Sequence, residues 1–164
     1  MTLYEFNPTE RFCVGTIGEV GSRVFLIQAT QGARRLTVKV EKQQIAILAT
    51  YLARAIQGLG RPGHLPDDLD LVLSPDDGID FIAGDLSVSI DDEAGIVQVV
   101  IEAAGEDEGD SATISVTQEQ AAAFAIRATT LVEAGRPPCP LCGFPLDPSG
   151  HDCPRTNGHR APTT

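Results

Sequence analysis

Three cysteines and two histidines fall within 21 residues near the carboxyl end: Cys139-Pro140-Leu141-Cys142-Gly143, then Gly150-His151-Asp152-Cys153-Pro154, then His159. Thiolate and neutral imidazole are donors for tetrahedral Zn²⁺, and a structural site takes four, usually as two chelating pairs on tight turns. Cys139 and Cys142 have the spacing of the first pair. Pro140 stiffens the turn between them, and Gly143 can take a positive φ that leaves amides facing the thiolates. Cys153 is the third donor. For the fourth, spacing leaves two choices open: Cys153 and His159 close a loop of conventional length, whereas His151 and Cys153 must be turned inward together around Gly150. So short a segment cannot build a hydrophobic core, and a bound metal would replace one. Arg136, Arg155 and Arg160 can offset the net negative charge of three thiolates and an imidazole on Zn²⁺.

The elements that carry this tail follow from length and pattern. A chain of 164 residues has room for one domain and a small appendage. No apolar run approaches the roughly 20 residues that cross a bilayer. The start, Met1-Thr2-Leu3-Tyr4-Glu5-Phe6, lacks the basic and apolar regions of a secretory signal, so a cytoplasmic, reducing location is expected. There, clustered cysteines are expected as metal ligands and Cys13 as a buried structural thiol. The net charge of −11 is uneven: residues 1–60 are basic overall, residues 61–134 hold 17 Asp/Glu against two Lys/Arg, and the last thirty residues are nearly balanced. An acidic body repels phosphate backbones, which disfavours nucleic-acid binding except through a local basic face.

Periodicity predicts an α+β domain. Arg11 to Thr16, Arg23 to Ala29 and Arg34 to Val40 read as strands, and a helix runs from about Lys42 to Leu59, with Ile45, Leu48, Leu52 and Ile56 on one face. The same order returns with strands at Phe81 to Ile90, Ile96 to Ala103 and Ser111 to Val116, then a helix from Gln118 to Ala134 whose Thr117 and Gln120 suit a capping box. Aligned in pieces, Val14-Gly15 matches Ala83-Gly84, Val24 to Gly32 matches Val97 to Gly105, and Val38, Val40 and Gln44 match Ile114, Val116 and Gln120. We therefore expect an internally duplicated β-β-β-α unit forming one pseudo-symmetric domain over residues 1–135. The repeats fall at about 11–60 and 81–135, residues 61–80 are a linker rich in Pro, Gly and Asp, and 136–164 form the zinc-knuckle tail.

With these strands and the tail Arg136-Pro137-Pro138-Cys139-Pro140-Leu141-Cys142-Gly143 on the page, the chain resembles an uncharacterised actinobacterial family. That family is domain of unknown function 3090, also labelled a repeat protein. The likeness rests most specifically on Val14-Gly15-Thr16 and on Cys139, Cys142, His151, Cys153, Pro154 and Arg155. The resemblance implies His151 as the fourth ligand of a structural Zn²⁺, with Cys139, Cys142 and Cys153 as the others. It implies no established activity.

Other chemistry is sparse. The acidic runs Glu106 to Asp110 and Asp76-Asp77-Gly78 lack the alternating ligands of a calcium loop and read as solvated loops. Gly15, Gly18 and Gly21 lie in a hairpin and do not open a helix, so no dinucleotide fingerprint is present. No Ser-His-Asp set appears either, and the chain is not expected to be an enzyme. Arg34, Arg35, Lys39 and Lys42 form the one basic patch expected in the body. The expectation is a cytoplasmic binding or regulatory protein whose zinc-clamped tail contacts a partner protein. The alternative is an RNA- or nucleotide-binding module using the basic tail and the Arg34-to-Lys42 patch.

Overall fold

The computed structural model describes residues 1–18, 23–60, 63–73 and 78–133. Seven strands form one sheet: β1 (Leu3–Phe6), β2 (Arg11–Ile17), β3 (Val24–Gln31), β4 (Arg34–Val40), β5 (Phe81–Asp91), β6 (Ile96–Ala104) and β7 (Ser111–Thr117). Helix α1 (Lys42–Gln57) follows β4 and α2 (Gln118–Glu133) follows β7. The sheet order is β1-β7-β6-β5-β4-β3-β2, antiparallel except where β4 meets β5 and β1 meets β7. This mixed α+β fold has its core within a compact unit, Met1–Val132. Among the described residues, no helix is long and apolar enough to cross a membrane.

Alternation sets the core. Phe12 and Val14 on β2, Ile27 and Ala29 on β3, Leu36 and Val38 on β4, and Val97, Val99 and Ile101 on β6 all turn to one face, where they join Ile45, Leu48 and Leu52 of α1 and Phe124 of α2. The hairpin between β3 and β4 turns on Gly32, whose φ of 60° lies where only glycine is at ease.

The two edge strands of this sheet are consecutive in sequence, and that forces its curvature. Laid flat, seven strands about 4.8 Å apart would separate the edges by about 29 Å. The chain from Phe6 to Arg11 reaches at most about 18 Å. The sheet therefore curls until its edges approach. Accordingly β1 lies close to β3, and the Arg34 guanidinium at the start of β4 sits 4.6 Å from the centroid of the Phe6 ring on β1.

Each helix is tied to a strand start beyond its own three strands. Gln44 Oε1 accepts from the Glu41 amide (2.8 Å), while its Nε2 donates to the carbonyls of Ala83 (3.1 Å) and Gly84 (2.8 Å) on β5. Gln120 repeats the pattern: its Oε1 accepts from the Thr117 amide (2.9 Å) and its Nε2 donates to the carbonyls of Thr9 (2.8 Å) and Glu10 (3.3 Å), just before β2. The Thr117 hydroxyl also accepts from the Gln120 amide at 3.1 Å, completing the expected capping box. One glutamine thus stops a helix from fraying and satisfies two strand carbonyls. Gln120→Ala removes both functions and is expected to lower stability by about 1–3 kcal/mol in urea unfolding. A change below about 0.5 kcal/mol would show that the bridge contributes little.

The ladders revise the expected residue matching between the two halves. Val14 pairs with Ile27 and Ile27 with Val38, while Val88 pairs with Val99 and Val99 with Ile114. With Val38 set against Ile114, Ile27 corresponds to Val99 rather than Val100, and Val14 to Val88 rather than Ala83. The expected match placed core-facing Ile27 opposite outward-facing Val100, because a slip of one residue exchanges the faces of a strand. An irregularity between Ala83 and Leu86 on β5 displaces the second match further.

Candidate functional site

All the expected zinc-binding residues, Cys139, Cys142, His151 and Cys153, and the competing His159, lie outside the described residues. Asp76 and Asp77 do too. The remaining candidates can be placed. Glu106 to Asp110 lie in the β6–β7 connection, where the Asp110 carboxylate accepts from the Thr2 amide at 2.6 Å and so secures the amino end beside β7. His64 is exposed in the segment after α1.

Arg34 and Arg35 at the start of β4, Lys39 further along it and Lys42 at the start of α1 are the four residues of the expected basic patch. Arg34 lies over the Phe6 ring. Arg35, on the other face of β4, donates to the Val72 carbonyl at 3.5 Å. Lys39 sits four residues further along the strand, roughly 13 Å away at 3.3 Å per residue, and Lys42 opens α1 beyond it.

A different cluster is brought together by the fold. Residues 63–73, expected as linker, cross the outward face of β2, β3 and β4. Arg11 Nη2 donates to the Asp68 carboxylate (3.0 Å) and to the carbonyls of Asp68 (3.3 Å) and Asp70 (2.7 Å). Arg127 of α2 donates to the Val14 carbonyl (3.0 Å) and to the Asp70 carboxylate (3.3 Å). The Gln28 side chain pairs with the backbone of Val72 in both directions, each at 2.8 Å, and also reaches the Thr37 hydroxyl at 3.1 Å. Leu71 fills the space left by Gly15, where a Cβ would stand 2.7 Å from Leu71 Cγ. Nothing in the local pattern of Pro, Gly and Asp signals these contacts, since every partner is distant in sequence. Gln28, a polar residue that follows the apolar run Val24 to Ile27 and is buried, was the available clue.

Cys13 lies beneath this segment, between Arg11 and Gly15 on the same face of β2, and is 1% exposed. Burial pushes its thiol up; Arg11 acts in the opposite sense, more weakly. A thiol raised in the folded state keeps its proton where the unfolded chain has lost it, so stability falls as pH rises above the unfolded thiol range of about 8.5. Cys13→Ala is expected to flatten that alkaline decline between about pH 8.5 and 10, measured by urea unfolding at each pH. An unchanged slope would mean that Cys13 does not couple folding to pH.

An open depression of about 580 Å³ lies between the amino end, the start of β5 and the β6–β7 connection, and is lined by Asp85, Glu102, Glu108 and Asp110 among others. Among the described residues that line it, the basic group is the terminal amine, 3.9 Å from Asp110.

No curated protein matches this chain at a significant level. The family described as a protein of unknown function, DUF3090, matches residues 4–153, which runs from Tyr4 in β1 through the other six strands and both helices to Cys153, and the chain therefore belongs to that family.

Proposed function

We propose that this protein is an internally duplicated α+β scaffold that carries a structural zinc knuckle and uses it to contact a partner protein in the cytoplasm. The observation that carries the reading is the donor set: Cys139 and Cys142 at chelating spacing, followed by His151 and Cys153. The family match ends at Cys153 and leaves His159 outside, which favours His151 as the fourth ligand. Three sulfurs and one imidazole fit a closed tetrahedral site, and such a site organises its segment because the unfolded chain has no preformed cage.

Duplication is supported by the order β-β-β-α occurring twice, by parallel junctions at Val38 with Phe81 and Ile114 with Phe6, and by the matched bridges of Gln44 and Gln120. A lone three-stranded unit with a single helix would leave an apolar face in water, whereas two such units cover each other.

Elemental analysis of freshly purified protein is expected to give one zinc per chain. Far less than one transition-metal atom per chain would overturn the reading. A partner that co-purifies with the zinc-loaded chain and is lost from the Cys142→Ser variant would tie contact to the knuckle. Binding that weakens steeply with salt, with nucleic acid as the bound species, would instead favour the basic-patch alternative.

A further inference from the structure

We propose that residues 66–73 form a latch that opens as a unit while the sheet beneath stays folded, and that Cys13 is the side chain this latch shields. The segment is held differently from everything around it. None of its side chains belongs to the hydrophobic core among the described residues, and it forms no strand. It is held mainly by side-chain clips: Gln28 on Val72, Arg11 on Asp68 and Asp70, and Arg127 on Asp70. The carboxylates of the ionic clips are 76% and 89% exposed, so solvent and salt weaken them. Leu71 against Gly15 adds an apolar contact.

Beneath the segment the situation is reversed. Cys13, Leu26, Gln28 and Thr37 are all buried although their strands turn these positions away from the core. The corresponding face of the second three-stranded ladder shows that the sheet tolerates exposure there. Ser87, Ser89, Gln98 and Glu102 on β5 and β6 face outward and are exposed, yet β6 keeps its ladder to β7 and β5 stays paired with β6 on both sides of the irregularity between Ala83 and Leu86. Opening the latch therefore breaks only its few clips and leaves the ladders and the core intact. Segments with few buried apolar contacts are the ones that open below the global transition.

The test is alkylation of the full-length protein by iodoacetamide without denaturant, with modification at Cys13 read separately from Cys139, Cys142 and Cys153 by peptide mass spectrometry. In the wild type, Cys13 is expected to react slowly, at a rate nearly independent of urea below the unfolding transition. Leu71→Ala, which changes only the latch, and Gln28→Ala, which removes the paired bonds to Val72, are each expected to raise that rate about tenfold while the unfolding midpoint of the sheet by circular dichroism barely moves. Because Gln28 is buried, Leu71→Ala decides the matter if Gln28→Ala fails to fold. A Cys13 rate that is unaffected by Leu71→Ala, or that follows the global unfolding curve in urea, would overturn the latch.

Discussion

On the proposed zinc-knuckle reading, Cys142→Ser is expected to release the zinc and unfold the knuckle while the body around the seven-stranded sheet stays folded. The size of the effect comes from the metal. Structural zinc in small cysteine and histidine sites contributes on the order of 10 kcal/mol at neutral pH, far more than the side-chain packing of so short a segment could supply. Serine keeps the size of the side chain but offers a hydroxyl in place of a thiolate, so the test isolates the donor. Mass spectrometry under non-denaturing conditions should show loss of one zinc, and the thermal transition of the body should keep its midpoint. His151→Ala should lose the metal in the same assay and His159→Ala should retain it. Stoichiometric zinc persisting in Cys142→Ser would remove that residue from the ligand set. The opposite result for the two histidines would move the fourth ligand to His159.

Much of the fold was legible because its signals are local. Alternation placed β2 to β7 to within two residues, and apolar residues three and four apart located both helices. Thr117 and Gln120 announced the start of α2 by their types alone. What was missed depended on distant partners. β1 is four residues long, and Leu3 within it is exposed. Its existence follows from parallel pairing with β7 more than a hundred residues away, for which Leu3 to Phe6 carries no periodic sign. Residues 63–73 read as linker from composition. Only the side chains of Arg11, Gln28 and Arg127, reached across the fold, show that they cross a sheet face.

The donor set proposed for the tail was read from spacing alone, since two intervening residues are what chelation by Cys139 and Cys142 would require. The expected basic patch was likewise read from closeness along the chain. Arg34, Arg35, Lys39 and Lys42 are close along the chain, but a strand places successive residues on opposite faces and spends about 3.3 Å on each. The matching of the two halves suffered from the same period: similar residue types aligned well one position out of register, and only the hydrogen-bonded ladders distinguish Val99 from Val100 as the counterpart of Ile27.

Phe124→Ala is expected to be among the most damaging single changes in the body. The two helices occupy comparable places but bury very different side chains. Helix α1 turns Ile45, Leu48 and Leu52 inward, whereas the buried positions of α2 are Ala121, Ala122, Ala123, Ala125 and Ala128 around a single large residue, Phe124. Phe124 is fully buried, and its ring stacks on that of Phe12 on β2 at 4.2 Å between centroids, with 12° between the planes. Truncating a buried phenylalanine costs about 3–5 kcal/mol, of which the aromatic pair supplies about 0.5–1.5. Set against a typical total stability of about 5–15 kcal/mol, that loss leaves little margin. The consequence should also be localised. With its one fully buried large side chain gone, α2 keeps the partly buried Leu131 and Val132 against the core and Gln120 on Thr9 and Glu10 and Arg127 on Val14 as polar attachments, and its amides should exchange with solvent faster than those of α1. Leu48→Ala removes one of three large side chains from α1 and is expected to cost less, about 2–4 kcal/mol, without selective loss of protection in α1. Double substitution with Phe12→Ala should cost less than the sum of the single changes, because the two rings share one contact. Equal costs for Phe124→Ala and Leu48→Ala, with uniform exchange in both helices, would show that α2 is held by its alanine face and its polar bridges rather than by the ring.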